Sequence, residues 1–461
     1  MATIIHIMPL LMFGVLAALL FTGYPVAFIL GGVALAFAVM GDWAGVFRLD
    51  QVQLVPLRIY GGTMASLVLV AIPMFTFMGT MLEKSGVARD LLNALQILLR
   101  RVPGGLALSV TLMGTIMAAT TGIIGASVVM MTLMALPVMM ERNYSVPLAT
   151  GTIAASGTLG ILIPPSIMLV IMSDLLSVPV GTVFIAAIMP GLLLAALYTV
   201  YIFVLCRIKP HLAPPMPDDI GPESRAEFWK MIFRSFLPPI ALIVAVLGSI
   251  FAGFATPTEA SGVGAAGSVV LAWFNRRLTW ETFMDVCKRS ALTGAMLFGI
   301  FVGATAFSYV FKAIGGEDLI IEFIRNSSVG PWSILFVLMA MVFALGFFFD
   351  WIEITLIVLP IFAPIVALLD FAGHVGIWPG ISQPIVIWFL ILVAVNLQTS
   401  FLTPPFGFAL FYLKGVAPPG VKIQQIYRGI IPFVALQVLG LTLCLFFPAI
   451  VLWLPSLALG G

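Results

Sequence analysis

Apolar residues fill this chain in blocks of about twenty, the length of helix that crosses a hydrocarbon core. The blocks predict spans over 4–22, 24–41, 59–82, 182–206, 236–256, 260–275, 290–312 and 430–455. Two stretches between them, 84–101 and 316–326, are amphipathic instead, and Leu91, Leu92, Leu95 and Leu98 recur at helical spacing in the first. Two further apolar runs are too long for one span. The first, 104–140, is interrupted by Thr120, Thr121, Gly122, Gly125 and Ser127, and the second, 331–369, between Gly346 and Glu353. Each predicts a helical hairpin that enters and leaves on one side. Two more apolar segments, 147–175 and 382–412, hold Pro164-Pro165 and Pro404-Pro405. Proline lacks the N–H and clashes with the preceding turn, so both spans are expected to break there.

The interruptions occupy equivalent places in two halves. Thr132 to Pro137 (TLMALP) is echoed by Thr355 to Pro360 (TLIVLP), and Gly160 to Pro165 by Ser400 to Pro405, in the same order. Backbone groups freed in hydrocarbon survive only against protein or a water-filled cavity. Paired breaks at corresponding places of two halves therefore point to a transporter's binding site. On this reading each half crosses the membrane five times and returns once. Five is odd, so the second half is inverted. The expected fold is an all-α polytopic membrane protein of two inverted-topology repeats, each with a re-entrant helical hairpin and a broken helix. Repeat 1 covers 1–206 (hairpin 104–140, broken helix 147–175) and a cytoplasmic linker covers 207–235. Repeat 2 covers 236–461 (hairpin 331–369, broken helix 382–412).

Composition fits a chain embedded in lipid. Hydrophobic residues make up 62%, charged residues 9%, and mean hydropathy is +1.18, against about 25% charged in a soluble domain. Met1 to Leu20 has no basic leader and reads as the first span rather than a signal peptide. The positive-inside rule orients the plan. With the N-terminus outside, 17 of the 21 Lys and Arg fall on the cytoplasmic side, leaving Arg48, Arg58, Lys312 and Arg325 outside. Both termini are then extracytoplasmic. Reading the hairpins as ordinary spans would put Arg100 and Arg101 on the opposite face from Arg142.

The interruptions also hold the candidate chemistry. The first hairpin tip offers Thr120, Thr121, Gly122, Gly125 and Ser127, and the first broken span offers Ser156, Gly157, Thr158 and Gly160 before Pro164, Pro165 and Ser166. Hydroxyls and freed carbonyls are hard oxygen ligands suited to a small alkali cation, and glycine lets backbone approach a ligand. The same small residues also let membrane helices pack closely. The second tip carries Asp350, Trp351 and Glu353. Two carboxylates at i and i+3 in an apolar region suggest function, and both also suit the start of the helix running to Pro360. The second broken span offers Asn396, Gln398, Thr399, Ser400 and Thr403. Glu259, after Thr256 and Pro257, reads as a helix cap.

Other classes find little support. His6, His211 and His374 are too scattered for a metal site or proton relay, Cys206, Cys287 and Cys444 share no motif, and no phosphate-cradling Gly-Lys-Ser/Thr loop occurs. No basic block suggests nucleic acid. An ion gradient is the simplest energy source.

With these residues in view, the chain resembles, nearly end to end, the large permease subunit of tripartite ATP-independent periplasmic (TRAP) transporters. The most specific matches are Ala155 to Ser166, Thr256 to Ala260 and Leu402 to Gly407; Gly23 to Ala27 and Ala71 to Phe75 are weaker. The resemblance implies a multi-pass, elevator-type secondary transporter of the bacterial inner membrane that couples uptake of an organic acid, such as a C4-dicarboxylate, to sodium. It implies two partners, a separate four-helix small membrane subunit and a periplasmic substrate-binding protein. It implies sodium sites where each hairpin tip meets the neighbouring break, and no cofactor besides that coupling ion. One site would use Thr120, Thr121, Gly125 and Ser127 with Ser156, Gly157, Thr158 and Gly160. The other would use Gly346 and Asp350 with Ser400, Thr403 and Phe406. Ser156, Pro165, Ser166, Trp351, Glu353, Gln398 and Thr399 are the corresponding candidate substrate contacts. The tips depart from the family's usual Ser-Gly-Ser-Ser and Leu-Glu-Pro, and Ser400 stands where family members often have glycine. The nearest rival is a self-sufficient sodium/dicarboxylate elevator symporter. A membrane-embedded enzyme or scaffold is the rival from another class, and no His/Asp/Glu cluster at one depth supports it.

Overall fold

The computed structural model describes residues 2–121, 124–215, 221–222, 224–319, 322, 330–347, 349–404 and 407–460, with backbone alone for 2–6 and 119–121. The long described elements are all α-helices. Eight described helices are long and apolar enough to cross a membrane, or nine if one bent pair counts as a span.

An outer frame comes first. Helices α1 (Ala2–Leu20) and α2 (Val26–Trp43) lead to a short α3 (Leu54–Ile59), then α4 (Ala71–Lys84) and the amphipathic α5 (Val87–Leu98). The frame is completed by α11 (Arg225–Phe251), α12 (Pro257–Phe274) and α13 (Trp280–Ala313); α12 lies on α4 and α11, and α13 on α2 and α4. The helix starts are well specified. Thr256 and Glu259 form a reciprocal capping box around Pro257, as expected for Glu259, and Thr279 caps α13 by accepting the Thr282 N–H at 3.1 Å.

An inner bundle carries the interrupted elements. The first hairpin is α6 (Gly105–Thr121) and α7 (Ile124–Glu141). The first broken span is α8 (Val146–Thr158), a tight turn over Leu159–Ile161, and α9 (Ile167–Leu175). The long α10 (Val180–Ile208) closes this half. The second hairpin is α14 (Pro331–Leu345) and α15 (Trp351–Leu368), the second broken span α16 (Pro384–Leu402) and α17 (Phe408–Val416), followed by α18 (Ile423–Phe446) and α19 (Ala449–Leu459). Helix α16 is the centre of the bundle: every residue from Val386 to Leu402 is buried, against α14, α15, α10 and α18. Helix α8 packs on α6, α7 and α18. It crosses α18 at two glycines, where a Cβ on Gly151 would overlap the Gly429 carbonyl and one on Gly429 the Pro147 carbonyl. Small residues allow that approach in place of a driving force that lipid does not supply.

Three elements differ from the sequence reading. The span expected over 59–82 is not one helix. A turn of π-helix over Tyr60–Met64 follows α3, and the chain bends by 63° before a 3-10 turn over Val68–Val70 leads into α4. Gly61 and Gly62 weaken the helix there. Neighbours then satisfy the bend, since Thr258 donates its hydroxyl to the Leu67 carbonyl at 2.8 Å and Ser66 donates to the Asp174 carboxylate at 2.9 Å. The last span, expected over 430–455, is two helices parted at Phe447 and Pro448. Conversely, α11 runs from Arg225 straight through Pro238 and Pro239. Those prolines strip partners from the carbonyls of Arg234 and Ser235, which end a charged stretch where water can replace them.

Candidate functional site

The first hairpin tip is the junction of α6 and α7. Thr120 and Thr121 close α6 in helical conformation, while Gly122 and Ile123 lie outside the described residues. Helix α8 approaches both arms where side chains are smallest. A Cβ at Gly114 would come 2.8 Å from the Ser156 Cβ, and one at Gly157 would overlap a Val128 methyl. The Ser156 hydroxyl reaches the Thr111 hydroxyl at 3.4 Å, and the Thr158 hydroxyl donates to the Ala155 carbonyl at 2.9 Å while accepting from Gln437 of α18 at 3.5 Å. Each hydroxyl still has lone-pair capacity. Gly160 sits in the tight turn, and after the prolines Ser166 donates to the Ile161 carbonyl, taking up a backbone acceptor at the break. Pro165 and Ser166 are buried beside it. Gly125 faces elsewhere: a Cβ there would lie 2.9 Å from the Tyr412 ring of α17. Ser127 is buried on the same arm.

The second hairpin tip has a different chemistry. Asp350 caps α15, its carboxylate accepting the Trp351 N–H at 2.8 Å, which gives it the helix-start role. Trp351 is buried, and Glu353, one turn in, is only 6% exposed with one carboxylate oxygen that no protein group meets. The Thr355 hydroxyl and both ends of the Gln398 amide are also buried without a protein partner. Leaving such atoms unmatched costs about 1–3 kcal/mol each, and α15 and α16 carry three such side chains among the described residues; Thr152, Tyr198, Ser290 and Gln437 hold others elsewhere.

The tip and the break meet tightly. A Cβ at Gly346 would overlap both Oγ and Cβ of Ser400, so only glycine allows this approach. The Ser400 hydroxyl donates to the Leu397 carbonyl at 2.8 Å, Thr399 to Val395 at 3.4 Å, and Thr403 to Thr399 at 2.7 Å. Asn396 ties α16 to α14 through the Met339 carbonyl at 2.7 Å. Beyond Thr403, Pro404 leaves the Ser400 carbonyl without its usual helical donor, and the Thr403 N–H takes it at 3.1 Å. Phe406 and Pro405 lie outside the described residues. A Cβ at Gly407 would come 2.6 Å from the Phe401 carbonyl, so the start of α17 packs against the end of α16 there.

The structure therefore joins Gly346 with Ser400, and Ser156 and Gly157 with the hairpin arms. It moves Gly125 to a partner the sequence did not suggest. Tyr412 lies against Gly125, so α17 packs on the first hairpin tip while it follows the second break. Thr111, Gly114 and Gln437 also escaped the sequence reading. Gly114 inside an apolar run was the available signal; the others are ordinary until the helices are brought together.

Two helical hairpins packed on two proline-broken helices within a polytopic bundle define a membrane-carrier architecture. The chain belongs to the family described as tripartite ATP-independent periplasmic transporter, DctM component, whose model matches residues 13–450. It is similar to the C4-dicarboxylate TRAP transporter large permease protein DctM of Pseudomonas aeruginosa, with 30% identity over 89% of this chain and 91% of that one. It is also similar to the isethionate TRAP transporter permease protein DctMQ of Oleidesulfovibrio alaskensis, with 30% identity over 95% of this chain and 65% of that one. Among solved structures it shares a fold with the YdaH transporter of Alcanivorax borkumensis, at TM-score 0.58 and 14% identity over 87% and 88% of the two chains.

Proposed function

We propose that this chain is the large permease subunit of a sodium-coupled importer of an organic anion, acting in the bacterial inner membrane. A separate small membrane subunit and a periplasmic substrate-binding protein complete it. The family name and the relative whose name joins M and Q support the partnership. The observation that carries the reading is the Gly346–Ser400 contact, where the second hairpin tip meets the second break, on helices that also carry the unmatched Glu353, Thr355 and Gln398. Freed carbonyls and hydroxyls there suit sodium, and unmatched polar atoms suit a polar cargo. The first site offers the same type of oxygens around Ser156 to Gly160. The inner bundle would carry both sites across the frame as an elevator.

The test is uptake into proteoliposomes containing this chain and its small subunit, with the cognate binding protein outside. Uptake should follow an imposed sodium gradient. Undiminished accumulation on a proton gradient alone, without sodium, removes the coupling assignment. Orientation is checked separately with single cysteines at Ser224 and Gly373, in a chain lacking the three native cysteines. They should label from opposite faces, and labelling from one face refutes the inverted repeats.

A further inference from the structure

The two tips described above have no Lys or Arg within residues 120–127, 156–166, 346–353 or 396–403. Those segments bring no cation of their own to an organic anion. Two cations stand close by, on the frame. A cavity of about 390 Å³ opens between α3 and α13 of the frame and α9 and α15 of the inner bundle. Its polar wall holds Arg58, Lys312, Ser308 and Tyr309, and its far wall is Leu356 and Pro360 of α15. No carboxylate is among its described lining residues. The volume suits a small organic acid.

The cations are held in place. The Arg58 guanidinium lies over the Tyr309 ring, 4.6 Å from its centroid, an arrangement that leaves its N–H edge open. Lys312 pairs with Glu317, just outside the cavity, at 3.2 Å. Arg58 and Lys312 are also two of the four cations that the charge pattern places outside. The apolar wall begins one turn beyond Glu353, so an anion in the cavity would lie a helical turn from the unmatched groups of the second site.

We propose that Arg58 and Lys312 form a receiving site for the carboxylate, or the similar sulfonate, of the transported anion before it reaches the hairpin tips. The proposal rests on the reading of the chain as an organic-anion carrier. The frame supplies the charge and the inner bundle supplies the wall that moves. The cation pair draws anions from the extracytoplasmic face and raises their local concentration, and no tight complex has to be dismantled before handover.

The test reads the charge of the cavity directly. Ser308→Cys is placed in a full-length chain lacking the native cysteines, in nanodiscs of phosphatidylcholine. An anionic methanethiosulfonate should modify the new thiol faster than its cationic counterpart, by about tenfold or more. Millimolar succinate should slow that labelling, and its neutral diamide should not. Adding Arg58→Gln and Lys312→Gln should abolish both effects. If that combination does not fold, the reagent preference and the protection on native charges still decide. Equal rates for the two reagents overturn the proposal, as does equal protection by the diamide. Slowing by phosphatidylglycerol but not by succinate would assign the cavity to a lipid headgroup and overturn it as well. Labelling needs no transport, so this failure is separate from failure of sodium-driven uptake.

Discussion

The two hairpin–break pairs share a plan and differ in chemistry. At the first, Ser156 meets Thr111, Thr158 meets Ala155 and Gln437, and Ser166 meets Ile161, while the Thr152 hydroxyl and the Gln437 amide oxygen are buried without a partner among the described residues. At the second, Glu353, Thr355 and Gln398 hold buried atoms without one. The first leaves one hydroxyl and one amide oxygen unmatched; the second leaves a carboxylate oxygen, a hydroxyl and both ends of an amide. A repeated fold need not give repeated function. On the function proposed above, the first pair would hold an ion between oxygens that also hold the helices together, and the second would add a place for cargo.

The largest expected effect tests the closeness of the second pair. Gly346→Ala drives a methyl into Ser400, and overpacking of this kind costs ~1–3 kcal/mol. Sodium-driven uptake should fall to background, and a second change, Ser400→Gly, should recover it to within about tenfold of wild type, because the overlapping atoms are those of the serine side chain. Gly157→Ala meets Val128, overlapping its methyl and lying 3.3 Å from its Cα, and a methyl can give way more readily than the paired Oγ and Cβ of Ser400, so its loss should be smaller. An equal or greater loss at Gly157 would reverse the ranking of the two pairs.

Next comes Thr403→Val, which keeps shape and removes one oxygen. Sodium affinity should weaken by roughly 1–3 kcal/mol, raising the sodium required for half-maximal uptake about five- to a hundredfold. Superimposable sodium curves for wild type and variant would take Thr403 out of the site. Gln398→Met separates cargo from fold. Replacing an unmatched buried amide with an apolar chain of similar length should leave thermal stability unchanged or raise it, while the substrate KM rises about tenfold, as for one lost hydrogen bond of ~1.4 kcal/mol. Unchanged KM with lower stability would mean the amide serves packing. The smallest effect is Ser156→Ala. Its one long hydrogen bond is worth about 0.5–1.5 kcal/mol at most, so uptake should change only a few-fold.

Much of this was legible in the sequence, for physical reasons. Span length and apolarity located both hairpins and both breaks, because a lipid solvent leaves few alternatives to helix. Asp350 and Glu259 read as caps, and the structure gives both that role. The bend at 60–67 was missed because Gly61 and Gly62 permit a break without demanding one; the demand comes from Ser66 and Thr258 finding partners on other helices. The Pro-Pro rule was too simple. Pro238-Pro239 continues a helix near water, whereas Pro164-Pro165 breaks one where Ser166 can take a freed acceptor. Tyr412, Gln437 and Thr111 gained meaning only from contacts between distant segments, which no local pattern records. Gly122 and Phe406 fall outside the described residues.

The Ser66–Asp174 hydrogen bond joins the bend of the frame to the end of α9, on the inner bundle. On the elevator reading proposed above, in which the inner bundle slides past the frame, such a bond could not persist throughout a cycle. It would then work as a detent, holding one position and releasing the other. A bond to a carboxylate is worth about 1.5–3 kcal/mol, which shifts the balance between two positions by roughly ten- to a hundredfold. The turnover clock of this carrier would then be set partly by one serine at a place where a helix failed to continue.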